Sequence, residues 1–71
     1  MDSRAKRKQI GKAVARNRNA QHLSQRQLAE MAHTTQAEIS KIENGTIDCG
    51  IDVLLRISDA LGIEVRELFS F

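Results

Sequence analysis

The sequence has 71 residues and a net charge of +2, with one cysteine and no proline, tryptophan or tyrosine. A single cysteine excludes a disulfide framework. No apolar run reaches the roughly 18 residues of a membrane span, and no apolar segment follows the basic N-terminus as a secretory signal requires. Abundant Ala, Leu, Gln, Glu, Lys and Arg favour helix, so we expect one all-α domain in the cytoplasm.

The charge is distributed unevenly along the chain. Residues 1–26 carry eight basic residues and one acidic residue, a net charge of +7. Residues 27–71 carry three basic and eight acidic residues, a net charge of −5. This asymmetry favours a polyanionic partner, although a solvated basic tail explains the same distribution.

Residues 1–8 are predicted to form a basic N-terminal arm or a frayed helix start, with a single domain over residues 9–71. The first helix is predicted over about residues 6–20. Spacings of three and four predict its core-facing side: Ile10, Ala13, Val14 and Asn17. Basic residues spaced four apart form a row on another side: Arg4, Lys8, Lys12 and Arg16. Like charges at this spacing repel one another, so the row suits either a phosphate backbone or solvent.

Two capping boxes predict two short helices in close succession. Ser24 with Gln27 starts the second helix, and Thr35 with Glu38 starts the third, which runs over residues 36–44 before a glycine stop. Only His33 and Thr34 remain for the turn between them. Helices joined so closely cross steeply, as in a helix-turn-helix.

The fourth helix is predicted over residues 51–61, with apolar side chains around so much of its circumference that we expect it to be central. Asp52 and Arg56 on its polar side are spaced for an ion pair. A fifth helix is predicted over about residues 65–70.

The third helix carries a polar face opposite Ile39 and Ile42 when its residues are placed about 100° apart. That face consists of Gln36, Ala37, Ser40, Lys41 and Asn44. A glutamine can bond adenine bidentately, a lysine can donate to guanine, a serine can serve several bases, and an alanine can contact a thymine methyl. Asn44 at the far end suits a phosphate. The face therefore predicts contact with double-stranded DNA.

The segment "LSQRQLAEMAHTTQAEISKIENG" resembles the helix-turn-helix of the lambda-repressor-like, or XRE-type, DNA-binding proteins. "IGKAVARNRNAQH" before it and "IDVLLRISDALGIEVRELF" after it resemble the family's first helix and last two helices, so the similarity covers about residues 10–69. It implies a compact five-helix lambda-repressor-like domain with the helix-turn-helix at helices two and three. It also implies a homodimer whose recognition helices enter successive major grooves of a pseudo-palindromic operator.

The resemblance also implies roles for individual residues. Gln36, Ala37, Ser40 and Lys41 match base-contacting positions. Positions that contact phosphate or brace the interface are Arg18, Gln25, Thr35 and Asn44. By this resemblance Gln25 braces Gln36, and Arg18 pairs with Glu43 beside the DNA.

Three positions depart from the family pattern. His33 stands in the turn where the family usually has glycine, which a positive φ would strain. The loop "TIDCG" contains Asp48, which would repel phosphate, where relatives are often basic. Gly50 stands where a serine would often cap the fourth helix.

The sequence thus favours a sequence-specific transcriptional regulator, most simply a repressor, that is bacterial or phage-encoded and associated with the nucleoid. The alternative is an antitoxin that binds a toxin protein and regulates its own operon, and a neighbouring toxin gene would discriminate the two. No metal-ligand spacing, nucleophile pair or phosphate loop indicates an enzyme, a metal or a cofactor. Excess apolar residues near the C-terminus predict the dimer interface: Leu54, Ile63, Phe69 and Phe71.

Overall fold

A computed structural model describes residues 3–47 and 49–70 of the chain. These residues form α1 (Ser3–Ala20), α2 (Gln25–Met31), α3 (Gln36–Asn44) and α4 (Ile51–Leu61), followed by a 3-10 helix (Val65–Phe69). None of these helices is long and apolar enough to cross a bilayer. The predictions for Asp48 and Phe71 lie outside the described residues.

Two predicted helix boundaries differ from the observed ones. Helix α1 begins at Ser3 rather than near Lys6, so residues 3–8 continue the first helix. The predicted fifth α-helix is wrong, because its residues form a 3-10 helix. This segment is only five residues long, and its amide at Glu67 bonds the carbonyl at Glu64 in a single tight turn. Such short pieces favour 3-10 geometry.

Each of α1 to α4 is followed by a left-handed residue that reverses the chain. Gly45 and Gly62 have φ of 72° and 70°, and His22 and His33 have φ of 59° and 56°. At all four ends the amide of this residue and the amide after it bond back to the last turn, the Schellman pattern. The positive φ considered for His33 is therefore observed. His22 was not foreseen, because histidine carries no turn signal comparable to glycine.

The core is formed by apolar residues from every helix. Its buried members are Ala13, Val14, Leu28, Ala29, Ala32, Ile39, Ile42, Leu54, Ile57, Leu61 and Leu68. The predicted inner side of α1 is confirmed, since Ala13 and Val14 are buried and Ile10 and Asn17 are half-buried. The Asn17 amide donates to the Ala13 carbonyl at 2.8 Å, which satisfies it beside the core.

Helix α4 is covered on one side only and is not central, contrary to the prediction. Ile51 and Leu55 are 58% and 42% exposed, so one apolar side of the helix faces outward. Arg56 does not pair with Asp52 in the described structure. Its Nε instead donates to the Ala32 carbonyl at 3.0 Å, where it binds the end of α2.

Helices α1 and α3 approach each other closely at Gly11. A Cβ at this position would lie 2.3 Å from the Ile42 carbonyl oxygen and 2.6 Å from that of Glu43. Both are backbone atoms at the C-terminal end of α3, so no side-chain rotation can relieve the overlap. Glycine at position 11 therefore allows α1 to cross directly beneath the end of α3.

Candidate nucleic-acid interface

The two helices of the helix-turn-helix are fixed at their starts by side-chain caps. The Ser24 hydroxyl accepts from the Gln27 amide at 3.0 Å, and the Gln27 side chain accepts from the Ser24 amide at 2.8 Å, so the first capping box is confirmed. The Thr35 hydroxyl accepts from the Glu38 amide at 3.1 Å. The Thr35 cap ends the short turn that separates α2 from α3.

The second capping box is only half formed. The Glu38 carboxylate accepts from the Thr34 hydroxyl instead of returning to the Thr35 amide. It is half-buried there. Glu38 is therefore held at the start of α3 by its neighbour, on the edge of the outward face.

The outward face of α3 contains the residues predicted for it. Ile39 and Ile42 are buried at 0% and 3% exposure and anchor the opposite side. The outward side chains are exposed except for the half-buried Ser40: Gln36, Ala37, Ser40, Lys41 and Asn44. We call this set the α3 face.

The polar side chains of the α3 face have hydrogen-bonding groups to offer a partner. Within the part of the chain that the structure describes, Gln36, Ser40, Lys41 and Asn44 make no side-chain hydrogen bond or ion pair to the protein. Thr35, just before this face, accepts a bond from the Glu38 amide, but its hydroxyl hydrogen remains available. The face thus combines donors and acceptors on one rigid helix.

A half-buried ion pair supports the α3 face from behind. Arg18 of α1 donates from Nε to Glu43 Oε2 at 2.7 Å and from Nη2 to Glu43 Oε1 at 3.0 Å, a bidentate contact. The two side chains are only 13% and 7% exposed. Arg18 Nη1 also donates to the Leu23 carbonyl at 2.8 Å and to Asn19 Oδ1 at 3.2 Å. The pair therefore joins α1, the loop after it and α3.

The hydrogen bond to Glu43 raises the pKa of Arg18 above its ordinary value; burial opposes this effect, and the negative charge of Glu43 adds to it. The guanidinium is therefore charged at every pH at which DNA binding is measured. Four of its five N–H groups are engaged within the protein. Its geometry is that of a brace for α3.

Gln25 has a different partner from the one expected. Its Nε2 donates to Glu43 Oε1 at 2.9 Å, so it joins the Arg18–Glu43 pair and does not brace Gln36 in this structure. Glu43 consequently receives donors from both α1 and α2. No local pattern indicates this contact, because Gln25 and Glu43 are 18 residues apart in the sequence.

The residues predicted for a dimer interface separate into two groups. Leu54 is 6% exposed and belongs to the protomer core, so it offers almost no surface to a second subunit. Ile63 is half-buried against that core, and Phe69 is 42% exposed. The exposed apolar side chains of α4 are Ile51 and Leu55, which the apolar pattern of α4 predicted to be interior.

Residues 14–68 match the family described as helix-turn-helix. This match includes α2, α3 and the whole of α4. The chain belongs to the XRE-type helix-turn-helix family. Two curated proteins that this chain resembles are a transcriptional regulator and a repressor by name.

Two solved structures and two curated sequences place the chain within this family. The crystal structure of the restriction-modification controller protein C.AhdI from Aeromonas hydrophila has a TM-score of 0.93 at 30% identity, over 97% of this chain and 100% of that one. The clp gene regulator ClgR from Corynebacterium glutamicum has a TM-score of 0.83 at 26% identity, over 87% of this chain and 66% of that one. Both have the lambda-repressor-like arrangement of helices seen here.

The sequence relatives are longer than this chain. An uncharacterized HTH-type transcriptional regulator, y4dL, from Sinorhizobium fredii is 42% identical over 48 residues, which are 68% of this chain and 24% of the relative. The competence pilus inhibition repressor of Acinetobacter baylyi is 35% identical over 60 residues, which are 84% of this chain and 54% of the relative. The chain thus spans about a quarter and about half of these two proteins.

Replacing Arg18 with methionine tests whether the Arg18–Glu43 pair stabilises the helix-turn-helix. We expect Arg18→Met to lower the free energy of unfolding by about 1–3 kcal/mol, because the half-buried Glu43 carboxylate would lose its cation and two charge-assisted hydrogen bonds. The double variant Arg18→Met, Glu43→Met should recover most of this loss, since two apolar side chains of similar volume need no partner. Urea unfolding followed by circular dichroism measures both.

Arg26→Met is the matched control, because Arg26 pairs with Glu30 at 3.7 Å where both side chains are more than 70% exposed. An exposed pair contributes little, so its loss should leave the urea midpoint nearly unchanged. Equal midpoints for Arg18→Met and Arg26→Met would contradict the stabilising role of the Arg18–Glu43 pair.

Proposed function

We propose that this chain is a sequence-specific transcriptional repressor that binds a pseudo-palindromic operator as a homodimer, with α3 in the major groove. The observation that carries the proposal is the α3 face on the second helix of the helix-turn-helix, whose polar side chains make no hydrogen bond to any described residue. A major groove is wide enough to admit an α-helix. The names of the Acinetobacter repressor and the Aeromonas controller support a regulatory role.

The chemistry of the α3 face suits direct readout of base pairs. Gln36, in the first turn of α3, can pair with the N6 and N7 atoms of adenine, and Lys41, about one and a half turns later, can donate to guanine O6 and N7. Ala37 and Ser40 lie between them and complete the base-contacting set. Thr35 and Asn44 at the two ends are suited to meet phosphates on either side of the groove.

The Arg18–Glu43 pair and Gln25, which lie behind the α3 face, are also suited to DNA binding. Glu43 is adjacent to Asn44, and an unpaired carboxylate there would repel the DNA backbone. Arg18 neutralises it, and Gln25 donates a further hydrogen bond. In this proposal Arg18 and Gln25 act mainly by holding Glu43, and the remaining N–H groups of each side chain reach the nearest phosphate.

The antitoxin alternative receives no support from the relatives. Each is described as a regulator, a repressor or a controller protein. Repression of transcription by operator binding therefore accounts for more of the observations.

Substituting Gln36 tests sequence reading by α3. We expect Gln36→Ala to reduce affinity for the DNA upstream of its own gene by about 1–3 kcal/mol, with little change for random duplex, because it removes a base contact and no phosphate contact. Gln36 is exposed, so folding should be unaffected. Fluorescence anisotropy with both duplexes, at several salt concentrations, measures the difference.

Gln9→Ala is the matched control, since Gln9 is an exposed glutamine of α1 outside the α3 face. It should bind both duplexes like the wild type. If Gln36→Ala retains the wild-type preference for the upstream DNA, α3 does not read the bases in the proposed way.

The dimer part of the proposal rests on exposed apolar side chains of α4 and of the 3-10 helix. Ile51 and Leu55 lie one turn apart on the outer side of α4, and Phe69 belongs to the 3-10 helix that packs against α4. With the half-buried Ile63, they provide an apolar surface that a second copy would cover. In this proposal Ile51 and Leu55 take the place of Leu54 in the predicted dimer interface, because Leu54 is buried.

We expect the wild type to sediment as a dimer at about tens of micromolar, well above usual operator affinities. Leu55→Glu should weaken the dimer at least about tenfold, because it buries an unpaired carboxylate in the interface. Met31→Glu is the control, since Met31 is a similarly exposed apolar residue, at 47%, on α2. A wild-type monomer, or equal effects of the two substitutions, would exclude this interface.

A further inference from the structure

The basic row on α1 carries four positive charges that the described part of the protein does not neutralise. Its members are all exposed and spaced one turn apart: Arg4, Lys8, Lys12 and Arg16. None of them forms a hydrogen bond or an ion pair through its side chain to another residue in the ranges 3–47 and 49–70. Successive members repel one another, which destabilises the isolated helix slightly. An external anion would remove this repulsion.

The row lies on the side of α1 that points away from the core. Ala13 and Val14 define the core-facing side, and both are buried. At about 100° per residue, the middle of the row is on the opposite side of the helix. The four charges are therefore presented outward together.

The row also adjoins the C-terminal end of the α3 face. A Cβ at Gly45 would lie 3.0 Å from the Cα of Lys8, so the backbone of Lys8 is packed against the residue that follows Asn44. The close approach at Gly11 fixes this crossing one turn further along. Lys8 thus lies against the residue that directly follows the α3 face.

The length of the row matches a polyanion with regularly spaced charges. From Arg4 to Arg16 the helix rises about 18 Å. A DNA strand carries one phosphate per about 3.4 Å of axis, so this length corresponds to about five base pairs. Lysine carries a point charge on a flexible stem and arginine can bind a phosphate bidentately, so both residue types suit a row of phosphates.

We infer that the row of Arg4, Lys8, Lys12 and Arg16 is a second phosphate-binding surface, which holds the DNA flanking the base pairs that α3 contacts. This inference rests on the proposed function, because α3 must first place DNA against the protein. The row adds affinity and salt dependence, but it does not select sequence, because phosphates are the same at every base pair. Its position beside Asn44 favours DNA over an acidic protein as its partner.

The test combines charge removal in the row with shortening of the DNA. Lys8→Gln, Lys12→Gln and the double variant are compared with the wild type on operator duplexes with long flanks and with flanks trimmed from both ends. On the long duplex, the slope of log affinity against log salt should fall by about 0.9 for each phosphate that is no longer neutralised, hence by about 2 for the double variant. The ratio of operator to random-duplex affinity should stay unchanged.

Trimming the flanks should weaken the wild type more than the double variant, because the double variant has already lost two of the four charges that bind the flanks. Lys6→Gln and Arg66→Gln are matched controls, since each removes one exposed positive charge outside the row. Circular dichroism should show that all variants retain the wild-type helix content, because glutamine is a good helix former.

The inference is overturned if the double variant has the same salt slope as the two controls. It is also overturned if trimming weakens the wild type and the double variant equally, since the row would then not bind the flanks. If the wild type binds operator and random duplex with equal affinity, the proposed function is contradicted. The inference about the row is still tested in that case, because the trimming comparison can be made on any duplex that the protein binds.

Discussion

The contact between α1 and the C-terminal end of α3 is the constraint on which the rest of the structure depends. Gly11 lets the two backbones approach, and the bidentate bond of Arg18 to Glu43 fixes their direction. Gln25 adds the start of α2 to the same carboxylate. A helix of only nine residues has little intrinsic stability, so α3 keeps its orientation through these contacts and through buried Ile39 and Ile42.

The two helices that meet at this contact carry surfaces suited to different tasks, base reading on α3 and phosphate binding on α1. The α3 face has few charges and many directional hydrogen-bonding groups, as base reading requires. The basic row of α1 has charges without directional constraint, as phosphate binding requires. Because α1 crosses beneath α3, the two surfaces adjoin at Lys8 and Gly45. As a result, the basic N-terminal part of the sequence borders the proposed recognition helix in the folded protein.

Local signals in the sequence predicted the helix-turn-helix well, because caps and glycine stops act over three or four residues. The Ser24 box, the start of α3 at Gln36 and the left-handed Gly45 were all predicted correctly. Choices between long-range partners were not predictable. Gln25 bonds Glu43 instead of Gln36, and Arg56 bonds the end of α2, since only the assembled fold determines which acceptor is nearest. The apolar residues of α4 likewise did not predict which sides of this helix the other helices of the same protomer cover.

The central claim is that α3 reads base pairs in the major groove, and methylation interference tests it most directly. DNA from upstream of the gene is lightly methylated at guanine N7, in the major groove, and at adenine N3, in the minor groove, and bound and free fractions are compared. We expect guanine methylation to block binding in two patches centred about 10 base pairs apart, one for each recognition helix. Interference only at adenine N3, or none at either base, would contradict base reading by α3.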